Sequence, residues 1–208
     1  MDVTTMATAE RADFADMLLS LTGAQWKAST LCGEWRARDV AAHVVAYLDR
    51  YRGAFTAALI RHRLRMDRLN ARDVDAYSTC SLGEIAERMR SGIVPHSVGT
   101  GFGGRVALVE CMIHQQDIRR PLELPRTIPA ERLREALAFT RVAPLIRGGW
   151  RARGVRLIAT DLEWAAGRGA EVRGSGEAIL MAMAGRRSAL DDLAGPGVTV
   201  LAARSSAN

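Results

Sequence analysis

Apolar side chains recur at helical spacing through much of the first 146 residues of this 208-residue chain. In residues 10–21 they fall three and four positions apart, which places them on one face of a helix. A second such stripe consists of Val40, Val44, Tyr47, Leu48 and Tyr51. An amphipathic helix must bury its apolar face against another element, so the pattern predicts several helices packed together.

Further helices are predicted at residues 64–76, 82–90, 105–118 and 129–146. Ser81 and Glu84 have the spacing of a capping box, in which each side chain accepts a hydrogen bond from a free backbone N–H at a helix start. Pro121 ends one helix, and Pro129 suits the first turn of the next. Residues 1–148 are therefore expected to form an all-helical domain.

The pattern changes after residue 148. Residues 155–159 are apolar and rich in β-branched side chains, which indicates a strand, and residues 198–201 have the same character. Between them, residues 175–184 have helical spacing that ends at a glycine. We therefore expect a small α+β domain at residues 149–208.

The composition is typical of an ordinary globular protein, with 48% hydrophobic and 25% charged residues. No segment approaches the ~20 uncharged apolar residues of a membrane-spanning helix, and the first ten residues lack the basic and apolar parts of a secretory signal. Cys32, Cys80 and Cys111 are odd in number and show no paired spacing, so reduced thiols are expected rather than disulfides. We expect a cytoplasmic protein.

The formal net charge of +6 raises the question of nucleic-acid binding. Lys27 is the only lysine among the 29 basic residues, and the arginines alternate with acidic residues along several helices. A nucleic-acid surface combines a basic stripe with interleaved aromatic side chains, and the sequence shows neither. We therefore expect neither a nucleic-acid nor a membrane partner.

Glu110 and His114 are four residues apart within the predicted helix over residues 105–118. This spacing puts both side chains on one helical face, close enough to bind one metal ion. The same pair could be a solvated pair on the helix surface, although the apolar neighbours Val109 and Ile113 argue against exposure. Spacing alone does not decide between these interpretations.

His43 lies beside the apolar stripe of the second helix. A neutral imidazole turned inward there would need a buried hydrogen-bond partner, so His43 is either a metal ligand or a structural histidine with its hydrogen bonds satisfied. Two histidines and one glutamate form a known catalytic zinc set, in which the fourth position is open to water or substrate. His43, Glu110 and His114 are therefore the candidate ligands.

Several longer segments carry a resemblance to a known family. They are Trp26, residues 30–35 (TLCGEW), residues 38–44 (RDVAAHV), Glu110 and residues 114–120 (HQQDIRR). With these segments the chain resembles the mycothiol-dependent maleylpyruvate isomerase family, part of the wider DinB-like group of metal-binding four-helix bundles. The similarity extends over most of the chain, including residues 162–164 and 185–186. It implies a mainly α protein, with a DinB-like four-helix bundle followed by a small α+β domain.

The resemblance also implies a ligand set and its cofactors. The family's metal is held by a histidine of the second bundle helix and by the Glu and His of an E-x-x-x-H segment, which match His43, Glu110 and His114. Asp117 lies one turn after His114, so it is expected either to orient a ligand imidazole or to pair with Arg119 or Arg120. Zinc or another divalent metal, with mycothiol as thiol cosubstrate, are the implied cofactors.

Other residues near these motifs have simpler interpretations. Trp26 and Trp35 are expected to be packing anchors around the opening loop of the bundle rather than walls of a substrate pocket. Cys32 is not expected to be a nucleophile, because the sequence places no His or Lys beside it to lower its pKa. Cys111 is expected to be a small core residue that points away from the metal.

The implied chemistry is a zinc-bound thiolate that attacks a small electrophilic substrate, either as an isomerase or as an S-transferase. Two alternatives are a non-catalytic metal-binding bundle that binds a ligand or partner, and a zinc hydrolase. The hydrolase is disfavoured because E-x-x-x-H lacks the general base that an H-E-x-x-H segment supplies. The electrophile is not identified, since its contacts are expected from loops such as residues 97–104.

Overall fold

The computed structural model describes residues 1–50, 53 and 66–205, and it confirms a mainly α protein with a small sheet. The chain divides into two compact units, Met1–Pro125 and Arg126–Asn208. The sequence analysis placed the boundary near Gly148 instead. The difference arises because the helix Ala130–Val142 packs against the later helix Gly176–Met183 and so belongs to the second unit.

The first unit is a helical bundle. Its elements are α1 (Val3–Ser20), the short α2 (Gly23–Trp26), α3 (Ala37–Asp49), α4 (Met66–Ala76), α5 (Leu82–Ser91), a 3-10 turn (Ser97–Thr100) and α6 (Arg105–Arg119). Both α1 and α3 pack against α5 and α6, and α4 packs against α3. This is the four-helix arrangement that the sequence predicted. Tyr51 of the predicted stripe, with the first two residues of the segment predicted at 64–76, lies outside the described residues.

The bundle helices begin at capped positions. The Ser81–Glu84 capping box is present, with Glu84 N–H donating to Ser81 Oγ at 3.2 Å and Ser81 N–H donating to Glu84 Oε2 at 2.6 Å. Helix α1 begins seven residues before the predicted segment at residue 10, because the Asp2 side chain accepts a hydrogen bond from Thr5 N–H at 3.0 Å. An aspartate at this position satisfies an otherwise free N–H and extends the helix to its cap.

The bundle core is made of the predicted apolar faces. Its fully buried side chains come from α1, α3, α5 and α6 and include Phe14, Leu18, Val40, Met89, Leu108 and Met112. Each such side chain stabilises the fold by roughly 1.5–3 kcal/mol relative to an exposed position. On α6 the core residues Leu108 and Met112 lie on one face and the candidate ligands Glu110 and His114 on nearly the opposite one, since residues two apart in a helix point about 200° apart. Within residues 1–50 and 66–205, no helix is long and apolar enough to cross a membrane.

The second unit packs helices on a three-stranded sheet. Its elements are α7 (Ala130–Val142), α8 (Gly148–Arg151), β1 (Val155–Ala159), β2 (Ala165–Gly167), β3 (Ala170–Gly174), α9 (Gly176–Met183), a 3-10 turn (Arg187–Asp192) and α10 (Val198–Ser205). The central β1 pairs antiparallel with β2 and parallel with β3. Helix α9 is almost wholly buried and forms the centre of this unit's core.

Two sequence predictions in this unit are wrong. Helix α7 stops at Val142 rather than at residue 146, because Ala143 precedes Pro144 and takes an extended conformation with ψ 116°. The segment predicted as a strand at residues 198–201 is the start of α10, in which Leu201 N–H donates to Gly197 O at 3.2 Å. The glycine-rich turn before Val198 starts a helix there despite the β-branched residues.

Candidate metal centre

Helix α6 presents Glu110 and His114 one turn apart on the same face. Glu110 Oε2 lies 3.3 Å from His114 Nε2, and the side chains are 21% and 12% exposed, respectively. The helix is buried along most of its length between α1 and α3, which holds its backbone in place. The solvated-pair interpretation therefore does not describe this pair, because both side chains turn toward the bundle interior.

Helix α3 brings His43 to the same place. The His43 side chain is 4% exposed, and its ring centroid lies 5.1 Å from that of His114, with the two rings nearly perpendicular at 85°. The rings of Trp35 and Tyr47 flank His43 at 5.1 Å and 5.8 Å. Ligand-capable atoms of His43, Glu110 and His114 all lie within 4.8 Å of one another. His43 thus joins Glu110 and His114 in one cluster, although it precedes them by 67 and 71 positions in the chain.

Asp117 is fully buried and faces His114. Its Oδ2 lies 2.9 Å from His114 Nδ1, in the geometry of an imidazole N–H donating to a carboxylate. In the neutral imidazole this contact would hold the proton on Nδ1 and leave the lone pair on Nε2, the nitrogen nearer Glu110. Of the two arginines that follow, Arg119 donates through Nε to Gln115 Oε1 at 2.8 Å. The structure thus brings Asp117 to the imidazole, as one of the two sequence interpretations expected.

Negative charge around His114 favours a positive charge at its imidazole. Burial by itself would lower the pKa of this imidazole, but hydrogen bonds to Asp117, Cys32 and Glu110 outweigh burial and raise the pKa well above its ordinary value. Burial raises the pKa of the neighbouring Tyr47, and the charge of Glu110 adds to that effect. The cluster is therefore a place where a cation, whether a proton or a metal ion, is stabilised.

The contacts of Cys32 with the candidate site were not predicted from the sequence. Its Sγ lies 2.9 Å from Asp117 Oδ2 and 3.7 Å from His114 Nδ1, so a histidine does lie beside this thiol. The 82 positions between Cys32 and His114 concealed the contact. The loop that carries Cys32 is closed by Thr30 N–H donating to Trp35 O, and Leu31 N–H donates to Asp117 O at 3.1 Å, which ties the loop to α6.

Cys32, His114 and Asp117 form a second cluster that meets the same distance limit of 4.8 Å and shares His114 with the first. The two clusters lie on opposite sides of one imidazole, since Asp117 meets Nδ1 and Glu110 meets Nε2. The first offers two imidazoles and a carboxylate, which suits a divalent ion such as zinc. In the second, the short contacts fit S–H and N–H groups donating to one carboxylate. The donor chemistry therefore favours the first cluster as the metal centre.

Two tryptophans and two cysteines considered from the sequence remain to be placed relative to the cluster. Trp26 is 4% exposed and is a packing residue, whereas Trp35 is only partly buried and lies against His43, so it borders the cluster. Cys111 is fully buried, and burial raises its pKa to about 12, which makes this thiol unreactive. Cys80 is partly exposed.

Comparison with known sequences identifies the N-terminal part of the chain. Residues 7–96 match the family model described as the mycothiol maleylpyruvate isomerase N-terminal domain. This span includes His43 and Cys32 and ends before α6. Comparison with curated proteins gives no match.

Two solved structures share the fold of the chain. One is the crystal structure of the mycothiol-dependent maleylpyruvate isomerase, with 14% sequence identity and a TM-score of 0.55. The alignment covers 93% of this chain and 91% of the chain of that structure. The other is a histidine-to-alanine mutant of that enzyme, with the same identity and coverage and a TM-score of 0.54. Residues 7–96 thus match the N-terminal domain model of the mycothiol maleylpyruvate isomerases, and the chain shares its fold with the two solved structures.

Proposed function

We propose that this protein is a metal- and mycothiol-dependent enzyme that acts on a small electrophilic substrate, as an isomerase or as an S-transferase. The observation that carries the proposal is the convergence of His43, Glu110 and His114, whose ligand-capable atoms lie within 4.8 Å of one another. The match of residues 7–96 to the mycothiol maleylpyruvate isomerase N-terminal domain model supports a thiol cosubstrate. The metal and the reaction are inferred from the donor set.

Zinc is the proposed ion, with two imidazole nitrogens and one carboxylate as its protein ligands. Three protein ligands are typical of catalytic zinc sites, which keep a fourth position for a non-protein ligand. When bound, the ion would lower the pKa of a coordinated thiol and so supply a nucleophilic thiolate at neutral pH. A closed structural site would have used a fourth protein ligand instead.

Neighbouring residues orient the imidazole of His114 and cover that of His43. Asp117 accepts the Nδ1–H of His114, which fixes the orientation of the ring and would direct Nε2 to the ion once the ion displaces the Nε2 proton. The Cys32 thiol donates to the same carboxylate. Trp35 and Tyr47 cover the ring of His43 and limit the access of water to it. We further propose that the protein acts in the cytoplasm, where its three cysteine thiols would stay reduced.

The direct test is turnover of a panel of electrophiles by the zinc-loaded protein with mycothiol. The panel contains maleylpyruvate, other conjugated alkenes and alkyl halides, so that both isomerisation and thiol consumption are recorded. His43→Ala removes one proposed ligand and is expected to lower the rate by more than the roughly 10- to 100-fold typical of losing a hydrogen bond to a metal ligand. His96→Ala is the matched control, because His96 is exposed and lies in neither cluster.

The results distinguish a thiol-dependent enzyme, a binding module and a hydrolase. Turnover that needs mycothiol and zinc, and that falls in His43→Ala but not in His96→Ala, supports the proposal. Bound zinc without turnover of any electrophile contradicts it and points to a binding module. Substrate cleavage that proceeds without thiol contradicts it in favour of a hydrolase.

A further inference from the structure

A separate cavity lies entirely within the second unit. It has a volume of about 530 Å³, and its lining includes three arginines, Arg141, Arg153 and Arg168. Apolar side chains, Val142, Ala152 and Leu157, form another part of the lining. A volume of this size lies within the range of ligand pockets in proteins, which combine an apolar surface with a few polar groups that orient the ligand.

The three arginines come from different elements. Arg141 lies in the last turn of α7, Arg153 lies between α8 and β1, and Arg168 lies in the turn between β2 and β3. The turn at Arg153 is held in place, because the Arg204 side chain donates to the carbonyl oxygens of Arg151 and Arg153. The three arginines therefore line one cavity because the fold brings separate elements together, and not because they share one charged helix face.

The backbone on the opposite side of the cavity is also constrained. Gly167, which ends β2 and lines the cavity, has φ +87°, and a Cβ there would lie 2.3 Å from Val155 O. Only glycine fits that close approach of β2 to β1. The conformation of the turn that carries Arg168 is thus restricted at Gly167.

The positive charge of this cavity is not balanced by protein groups. Its lining contains no acidic residue. Within the part of the chain that the structure describes, none of the three arginines forms an ion pair with an acidic side chain. The surface arginine Arg173, by contrast, has such a partner in Glu171 at 2.8 Å. Like charges around a concavity raise its positive potential and attract anions.

We propose that this cavity binds a small organic anion, with its carboxylate or phosphate held by the arginines and its apolar part against Val142, Ala152 and Leu157. Guanidinium groups form charge-assisted and often bidentate hydrogen bonds with both kinds of anion. The binding residues all belong to the second unit, so this site is distinct from the His43, Glu110 and His114 cluster. The inference does not depend on the function proposed above.

Calorimetric titration of the full-length protein at constant ionic strength tests the proposal. The probes are phenyl phosphate, benzoate, inorganic phosphate and neutral phenol. We expect saturable binding at one site per chain for phenyl phosphate or benzoate, and the stronger of the two identifies the anion class. Inorganic phosphate should bind more weakly because it lacks the apolar part, and phenol should not bind.

Variants locate the binding site. The double variant Arg141→Gln with Arg168→Gln should weaken binding of the probe by about tenfold or more, since each substitution removes a charge-assisted hydrogen bond. Arg134→Gln is the matched control, because Arg134 is an exposed arginine of α7 that does not line the cavity. His43→Ala should bind the probe as the wild type does. Arg153→Gln replaces the double variant if that protein does not fold.

Several results would overturn the proposal. They are the absence of binding by both organic anions, binding of phenol as tight as that of the anions, and equal weakening by Arg134→Gln and by the cavity variants. Loss of binding in His43→Ala would place the anion at the metal centre and would also overturn it.

Discussion

The chemistry of the proposed metal centre depends most on the two nitrogens of His114. Asp117 holds Nδ1 at 2.9 Å, and Glu110 lies 3.3 Å from Nε2. Each side of one imidazole therefore faces a carboxylate, but the two contacts differ in burial, since Asp117 is 0% and Glu110 21% exposed. The buried carboxylate is suited to orient the ring, and the partly exposed one is suited to share a metal ion.

Replacement of Asp117 tests this division of roles. Asp117→Asn keeps the shape of the side chain and removes the charge that fixes the His114 tautomer, so zinc affinity should fall roughly 10- to 100-fold. Competition with a coloured chelator measures the affinity. Asp75→Asn, at an exposed aspartate of α4, should have no effect. An unchanged affinity in Asp117→Asn would show that the hydrogen bond does not position the ligand.

The raised pKa of His114 predicts competition between zinc and protons. In the metal-free protein the imidazole is protonated up to a pH well above its ordinary pKa, because its carboxylate neighbours outweigh burial. Zinc must displace that proton, so binding should release protons near neutral pH and should weaken as the pH falls. Calorimetry in buffers of different ionisation enthalpy counts the protons. Zinc binding without proton release would contradict this account of the site.

At the scale of elements, much of the bundle was predictable. Helical spacing, the capping box at Ser81 and the break at Pro121 are local signals, and the structure confirms them. The strands β2 and β3 were missed because they are short and rich in alanine and glycine, which lack the β-branched signal. The approach of the Cys32 loop to α6 could not be predicted either, because a backbone hydrogen bond from Leu31 to Asp117 creates it.

The burial of α6 predicts that its core side chains stabilise the bundle. Leu108 is fully buried, so Leu108→Ala should lower the free energy of unfolding by about 2–5 kcal/mol through lost burial and the cavity left behind. Denaturant unfolding of the metal-free protein measures the change. Leu19→Ala, at a largely exposed leucine of α1, is the control and should cost far less. A similar cost at both positions would contradict the described packing of α6.

For the whole molecule, helical spacing linked only Glu110 and His114 of the candidate metal centre, and the family resemblance was needed to join His43 to them. His43 and the pair on α6 come from helices that are distant in the chain, so only packing of the bundle shows that they meet. The division of the chain likewise depends on tertiary contacts, since α7 has the same helical pattern as the bundle helices yet packs in the second unit. The candidate metal cluster of His43, Glu110 and His114 lies wholly within the first unit.

Zinc K-edge X-ray absorption of the zinc-loaded protein tests this centre most directly. Without thiol, the spectrum should show two imidazole ligands, further oxygen or nitrogen ligands and no sulfur, because the proposed set is His43, Glu110 and His114. Addition of mycothiol should introduce one sulfur at about 2.3 Å. A protein that retains no zinc, or a sulfur ligand already present before mycothiol is added, would contradict the account, and the latter would identify the Cys32, His114 and Asp117 cluster as the metal site.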